Sequence, residues 1–117
     1  MKFRKRAVQV EATQWFQNGD HPGDQCDSFQ VDGERVLSEG RIVRRYRYAI
    51  ASENLMGMPC KYCELPMNNH GWIQTFKGVH LEGGHIVCPG DWIITGVGGE
   101  HYPCKPSVFA QTYEKAE

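Results

Sequence analysis

The stretch Cys60-Lys-Tyr-Cys63-Glu-Leu-Pro-Met-Asn-Asn-His70-Gly-Trp72 spaces two cysteines and a histidine as ligands of one metal ion. A tight turn within a Cys-x-x-Cys pair directs both sulfurs toward the same point. His70 reaches that point if the chain doubles back through Pro66 and the two asparagines that follow it. Thiolates and imidazoles are the ligands that zinc prefers in structural sites. Cys60, Cys63 and His70 therefore predict three of the four ligands of a structural Zn²⁺.

The cysteine pair has two other interpretations, and the fourth ligand is open. A redox pair of the thioredoxin type lies where a strand opens into a helix, and the proline and asparagines after Cys63 do not favour a helix. Two incidental thiols are the other alternative. As a fourth ligand, His21 and Cys26 lie in the polar loop from residue 17 to residue 28, whereas His85 and Cys88 begin and end a short strand.

Composition restricts the class of protein. A chain of 117 residues has the size of one domain, and we assign residues 1–117 to a single domain with one core. Its net charge of −1 provides no overall field to attract nucleic acid or an anionic membrane. No apolar run approaches the ~20 residues of a membrane helix.

The termini and the cysteines indicate the compartment. The basic segment Met1-Lys-Phe-Arg-Lys-Arg6 is not followed by an apolar region or a small-residue cleavage site, so we expect a cytoplasmic protein rather than a secreted one. The cysteine count is odd, at five. In a reducing compartment these cysteines are expected to be thiols or metal ligands rather than disulfides.

Short strands and tight turns dominate the rest of the sequence. Alternating residues between Lys5 and Phe16 predict a half-buried strand. Asp32-Gly33 predicts the tip of a hairpin, and Pro89-Gly90-Asp91 predicts a type II turn. The apolar strand after that turn places Trp92 in the expected core, and Pro106 is expected to begin a short helix.

These elements predict an α+β fold that is mainly β. We expect a small twisted antiparallel sheet or partial barrel with a short C-terminal helix. A zinc knuckle is expected as an insertion at about 59–72, and a C-terminal cassette at 88–114 completes the domain.

The strand from Ile42 to Tyr48 is rich in arginine and tyrosine. Guanidinium groups match the geometry of phosphate, and tyrosine rings offer stacking surfaces. This strand is therefore the candidate contact for a small anionic ligand, through Arg44, Arg45, Tyr46, Arg47 and Tyr48. The alternative is a solvated strand whose arginines pair with acids of neighbouring strands, such as Glu11, Glu39 and Glu100.

Two parts of the sequence resemble a group of small uncharacterised bacteriophage and prophage proteins. One is the cassette Pro89-Gly-Asp-Trp-Ile-Ile-Thr-Gly-Val97 with the later Tyr102-Pro-Cys-Lys-Pro106, and the other is Glu11-Ala-Thr-Gln-Trp15. A subset of the group also resembles this chain at Gly19-Asp-His-Pro22 and at the segment from the cysteine pair to His-Gly-Trp-Ile. The subset has glycine after the second cysteine, where this chain has Glu64. The connection from Gly78 to Gly84 is longer than in the group.

The resemblance bears on the metal site and on function. It favours His21 as the fourth ligand, since the Gly-Asp-His-Pro loop accompanies the cysteine pair in the subset. It makes Cys104 a structural thiol, because the cassette around it also occurs in members without the pair. The group brings no established activity. It implies a phage accessory protein in the host cytoplasm.

Three classes of function are consistent with these residues. The first, and the one we favour, is an accessory protein that binds a host protein or a small anionic, nucleotide-like ligand. The second is an assembly module of a phage particle. A homo-oligomer is also possible for this chain. The third is a zinc hydrolase, but no His-Glu-x-x-His motif, nucleophile elbow or phosphate-binding loop occurs in the sequence. Asp91 is the one candidate base, and an aspartate after Pro-Gly ordinarily caps its own turn.

Overall fold

In the part of the chain that the structure describes, eight short strands and one short helix form the fold. The computed structural model describes residues 1–4, 6–46, 57–77 and 80–116. The strands are β1 (Glu11–Gln14), β2 (Ser28–Val31), β3 (Glu34–Leu37), β4 (Arg44–Arg45), β5 (Gly71–Lys77), β6 (His80–Val87), β7 (Trp92–Thr95) and β8 (His101–Cys104). A 3₁₀ turn, Met67–Asn69, precedes β5, and helix α1, Pro106–Thr112, follows β8.

The strands form three small antiparallel sheets. The first has the order β1-β7-β8, the second is the hairpin β2-β3, and the third has the order β4-β5-β6. The fold is therefore mainly β with one short helix, as predicted. The strands that the structure describes are divided among separate sheets and do not close into a barrel. A turn at residues 88–91 separates β6 from β7, and these two strands lie in different sheets.

Local turn chemistry explains most of the connections. Asp32 and Gly33 both have positive φ, at 52° and 82°, as a type I′ hairpin turn requires. Gly90 has a φ of 98°, which fits the second central position of the predicted type II turn. Helix α1 begins at Pro106, where the ring pre-sets the backbone and no amide donor is needed.

The core lies between the first and third sheets. Five fully buried side chains form it: Trp15, Val43, Ile73, Val87 and Ile93. A Cβ atom on Gly71 would lie 2.5 Å from Val43 and 3.0 Å from the Trp15 ring, so glycine allows β5 to approach both side chains. A second buried cluster joins Cys60, Met67 and Cys88, and its two cysteines belong to the candidate metal centre described below.

Three expectations differ from the structure. The strand predicted from Lys5 to Phe16 is confined to Glu11–Gln14. The strand predicted from Ile42 to Tyr48 is observed at Arg44–Arg45, and Arg47 and Tyr48 lie outside the described residues. Trp92 is half-buried rather than in the core, because its ring stacks on Phe109 of α1 at the surface, with centroids 4.2 Å apart.

Nowhere in the part of the chain that the structure describes is a helix both long enough and apolar enough to cross a membrane.

Candidate metal centre

A tight turn positions the two cysteines of the Cys-x-x-Cys pair. The Cys60 N–H donates to the Leu65 carbonyl at 2.8 Å, and the Glu64 N–H donates to the Cys60 carbonyl at 2.9 Å. The Tyr62 N–H also points at the Cys60 sulfur, 3.3 Å away. These hydrogen bonds close the turn that contains the two cysteines. Burial acts to raise the pKa of the Cys60 thiol, but hydrogen bonds from the Tyr62 and Cys63 amides and from neighbouring thiols bring that pKa below its ordinary value.

The 3₁₀ turn places His70 beside the pair. The His70 Nδ1–H donates to the Pro66 carbonyl at 2.9 Å. A carbonyl can only accept, so Nδ1 carries the proton and Nε2 keeps its lone pair. Nε2 lies 3.1 Å from the Cys63 sulfur. Burial lowers the pKa of His70, which keeps the imidazole in the neutral form that binds metals.

Strand pairing brings a fourth ligand to the same point. Gly71 of β5 lies opposite Val87 of β6 in antiparallel register. His70 immediately precedes Gly71 and Cys88 immediately follows Val87. The two ligands therefore meet at the same end of the strand pair. The Cys88 sulfur lies 3.8 Å from that of Cys60.

The four ligand atoms lie close enough together to bind one metal ion. One atom each from Cys60, Cys63, His70 and Cys88 lies within 4.8 Å of all the others. Sulfurs bound to one ion at ~2.3 Å are about 3.8 Å apart, which matches the Cys60–Cys88 distance. Cys60, His70 and Cys88 are buried, and Cys63 is partly buried. The cluster is therefore positioned to bind a metal ion.

Lys105 and Asp91 surround the fourth ligand. The Lys105 ammonium lies 2.9 Å from the Cys88 sulfur and 3.1 Å from the nearer carboxylate oxygen of Asp91. Asp91 is 2% exposed and also accepts the Cys88 N–H at 2.9 Å, so it caps its own turn as expected. Burial raises the pKa of the Cys88 thiol to about 12 even though the Lys105 ammonium acts to lower it. A bound divalent ion deprotonates a coordinating thiol outright.

The structure corrects the choice of fourth ligand. His21 is buried, but it lies outside the cluster, and its Nδ1 accepts the Gly23 N–H at 3.0 Å. Its ring packs edge-on against His101, with centroids 5.4 Å apart. His21 therefore belongs to the packing of its own loop, which Asp24 organises through bonds to the amides of Ile42 and Val43.

The other candidate ligands also lie outside the cluster. His85 is exposed opposite Ile73 on the sheet. Cys26 and Cys104 are partly buried free thiols. The Cys104 sulfur lies 3.7 Å from the Lys105 carbonyl, which agrees with a structural thiol.

The two described arginines of the arginine strand have internal contacts. Arg44 Nε lies 3.7 Å from Glu39 Oε1, and the same oxygen accepts the Arg45 N–H. The Arg45 guanidinium donates to the Leu37 carbonyl at 3.1 Å. Tyr46 packs on Trp72, with ring centroids 6.0 Å apart. Of the two guanidinium groups, that of Arg44 lies near an acid, whereas that of Arg45 bonds a backbone carbonyl.

The chain was compared with family models, curated proteins and solved structures. None of the three comparisons gave a match.

Lys105 is the member of the site that the sequence did not predict. No motif links it to the cysteine pair. The sequence did contain a signal for Cys88 as the fourth ligand. A hairpin of β5 and β6 around the glycine-rich connection places Cys88 next to His70.

Proposed function

We propose that this protein is a binding protein whose fold is stabilised by one structural Zn²⁺. Cys60, Cys63, His70 and Cys88 hold the ion, and the protein acts by binding a ligand or partner rather than by catalysis. The observation that carries this proposal is the convergence of three thiols and one imidazole, whose ligand atoms lie within 4.8 Å of one another. The Pro66 carbonyl supports it by orienting the imidazole with Nε2 toward the sulfurs.

The donor set favours zinc over other metals. Magnesium and calcium prefer oxygen ligands, and the cluster offers sulfur and nitrogen. Three cysteines and one histidine are an established ligand set of structural zinc sites. Zinc binding to such a site contributes directly to folding free energy.

Two features favour a structural role over hydrolysis. A hydrolytic zinc has three protein ligands and an open position for water, whereas the cluster supplies four protein ligands. Asp91, the candidate base, is 2% exposed and bonds both the Cys88 amide and Lys105. Its two carboxylate oxygens are therefore engaged in holding the turn and the lysine.

The resemblance to phage and prophage proteins supports a biological setting for this proposal. In that setting the chain is an accessory protein of the host cytoplasm. Its partner is a host protein or a small anionic ligand.

Metal content and stability test the zinc proposal. Protein produced with zinc present should contain one zinc per chain by elemental analysis. Cys88→Ser should lose the ion and most of the stability gained from it, whereas the matched control Cys26→Ser should retain both. Wild type without zinc, or a Cys88→Ser variant with full zinc content, would contradict the proposal.

One observation favours assembly as a second candidate function. The hairpin β2-β3 exposes Phe29 and Val31, which are 48% and 49% accessible and lie on one face of β2. A two-stranded hairpin has little stability alone, so covering this face would stabilise it. Sedimentation velocity should show self-association of the wild type that Phe29→Ser/Val31→Ser abolishes. A monomer at all concentrations would remove this candidate.

A further inference from the structure

An open groove, lined in part by Lys61, Tyr62 and Lys105, lies beside the cysteine and histidine cluster. Its volume is about 370 Å³, within the range of ~300–1,000 Å³ found for small-molecule sites. The Cys-x-x-Cys turn, the β5-β6 strand pair and the end of β8 supply its walls. The groove is therefore bounded by the elements that the metal ligands hold together.

Aromatic side chains form two parts of the wall. Tyr62 is 58% exposed, and Trp72 is partly buried. The Trp72 indole N–H donates to the Gln74 side-chain oxygen at 3.0 Å, which fixes the orientation of the ring. A Cβ atom on Gly84 would lie 2.6 Å from that ring, so glycine makes room for it in the wall. Planar surfaces of this kind favour a planar ligand.

Two ammonium groups supply the charge of the groove. Lys61 Nζ and Lys105 Nζ lie 5.0 Å and 5.4 Å from the centre of the Tyr62 ring. Lys105 is already bonded to Asp91 and Cys88. Lys61 forms no ion pair with any carboxylate of the described residues. Among the described residues, Asp91 is the one acid in the wall and is 2% exposed, so the charge that these residues present to a ligand is positive.

We propose that this groove binds a small planar aromatic molecule that carries one anionic group. Its ring lies against Trp72 or Tyr62, and its anionic group lies near Lys61. The chemistry fits two sources, an aromatic carboxylate and a nucleoside monophosphate. The inference rests on the proposed role of the chain as a binding protein and gives that role a site and a ligand class.

Titration of isotope-labelled full-length protein, monitored by amide and indole NMR signals, tests the inference. The probes are adenosine monophosphate, 2-naphthoate and inorganic phosphate, with adenosine and 2-naphthylmethanol as neutral analogues. We expect at least one aromatic anion to shift the Trp72 indole signal and the amides of residues 61–62 and 84–86. Its neutral analogue should bind at least tenfold more weakly. Binding of adenosine monophosphate alone would indicate that the ligand is a nucleotide. Binding of 2-naphthoate alone would indicate an aromatic acid.

Two variants test whether side chains of the groove contribute to the affinity for the ligand. Lys61→Met should weaken binding of the aromatic anion at least tenfold, and Tyr62→Leu should weaken it as well. The control Lys115→Met removes an exposed lysine of the C-terminal tail and should bind as the wild type does. Both groove variants change exposed side chains, so they should retain one zinc per chain.

Several outcomes would overturn the inference. In the titrations, these are the absence of any NMR shift with every anion, binding of inorganic phosphate alone, or shifts confined to the arginine strand. Equal affinity for the anions and their neutral analogues would also overturn it, as would unchanged binding of the aromatic anion by Lys61→Met. Full zinc content without ligand binding would overturn the groove and leave the zinc proposal intact. Ligand binding by protein that lacks zinc would overturn the zinc proposal and leave the groove intact.

Discussion

At the scale of single residues, Lys105 connects the metal cluster to a buried acid. Three thiolates and a divalent ion sum to one negative charge, and an ammonium group beside one sulfur compensates for it. The Asp91 carboxylate, 3.1 Å away, holds that ammonium in place. Partners of this kind tune metal affinity although they do not bind the metal.

Replacing Lys105 should weaken metal binding without removing it. Lys105→Met keeps most of the side-chain length and removes the charge, so zinc affinity should fall by about 10–100-fold. Competition with a chromophoric chelator measures this affinity. Lys61→Met is the matched control, because Lys61 has no contact with a sulfur among the described residues. Equal affinities of both variants would show that Lys105 does not tune the site.

Glu64 has a strained backbone for its residue type. Its φ is 67°, in the left-handed region that costs a non-glycine residue about 1–2 kcal/mol.

Glu64→Gly should therefore raise the free energy of unfolding. We expect a gain of about 0.5–1 kcal/mol after the extra entropy of glycine in the unfolded chain is subtracted. Urea denaturation of zinc-loaded protein measures it. Glu34→Gly, at an exposed position in β3, should instead destabilise by about 0.5–1 kcal/mol. A loss of stability in Glu64→Gly would contradict the strain argument.

At the scale of elements, helix α1 is attached through aromatic stacking. It has no fully buried residue. Phe109 stacks on Trp92 at 4.2 Å and also on Tyr113 at 5.1 Å, so one side chain links the helix to β7 and to the following tail. This role explains why Trp92 is half-buried, although its neighbours Ile93 and Ile94 are fully buried.

A double-mutant cycle should measure this contact. Trp92→Ala and Phe109→Ala should each destabilise the protein, and the pair should show a coupling free energy of about 0.5–1.5 kcal/mol. Thermal or urea unfolding of the four proteins gives the coupling. Val108→Ala, on the exposed face of the same helix, should have little effect and no coupling to Trp92. Additive losses for Trp92 and Phe109 would mean that the stack is not stabilising.

At the scale of the whole molecule, the metal cluster joins segments that are distant in sequence. Cys60 and Cys88 are 28 residues apart, and the cluster ties the Cys-x-x-Cys turn to the end of β6. Among the described residues, Trp15, Val43, Ile73, Val87 and Ile93 form the core between the sheets. Cys88 directly follows Val87 of that core, so a metal bound by the cluster would tie the Cys-x-x-Cys turn to it and contribute to the stability of the fold.

Stability should depend on the concentration of free zinc. A single site that exists in the folded state adds about 1.4 kcal/mol for each tenfold rise in free zinc above its dissociation constant. Denaturation in zinc buffers at several fixed free concentrations measures this slope. Cys88→Ser should show no slope, and magnesium should produce none in the wild type. A flat response of the wild type would contradict a structural metal.

Residues close together in sequence determined the part of the site that could be predicted. Cys60, Cys63 and His70 lie within eleven positions, and the Cys-x-x-Cys turn and the 3₁₀ turn that follows it bring them together. The hairpin at Asp32-Gly33, the type II turn at Gly90 and the start of α1 follow from local backbone preferences in the same way.

Only the tertiary structure decided the fourth ligand and its partner. Cys88 meets His70 because β5 and β6 pair with Gly71 opposite Val87, and Lys105 reaches Cys88 because β8 and β7 carry it there. The sequence left His21, Cys26, His85 and Cys88 as candidate fourth ligands, and the resemblance favoured His21. The register of strand pairing separates them, and register depends on packing of the whole sheet rather than on any local pattern.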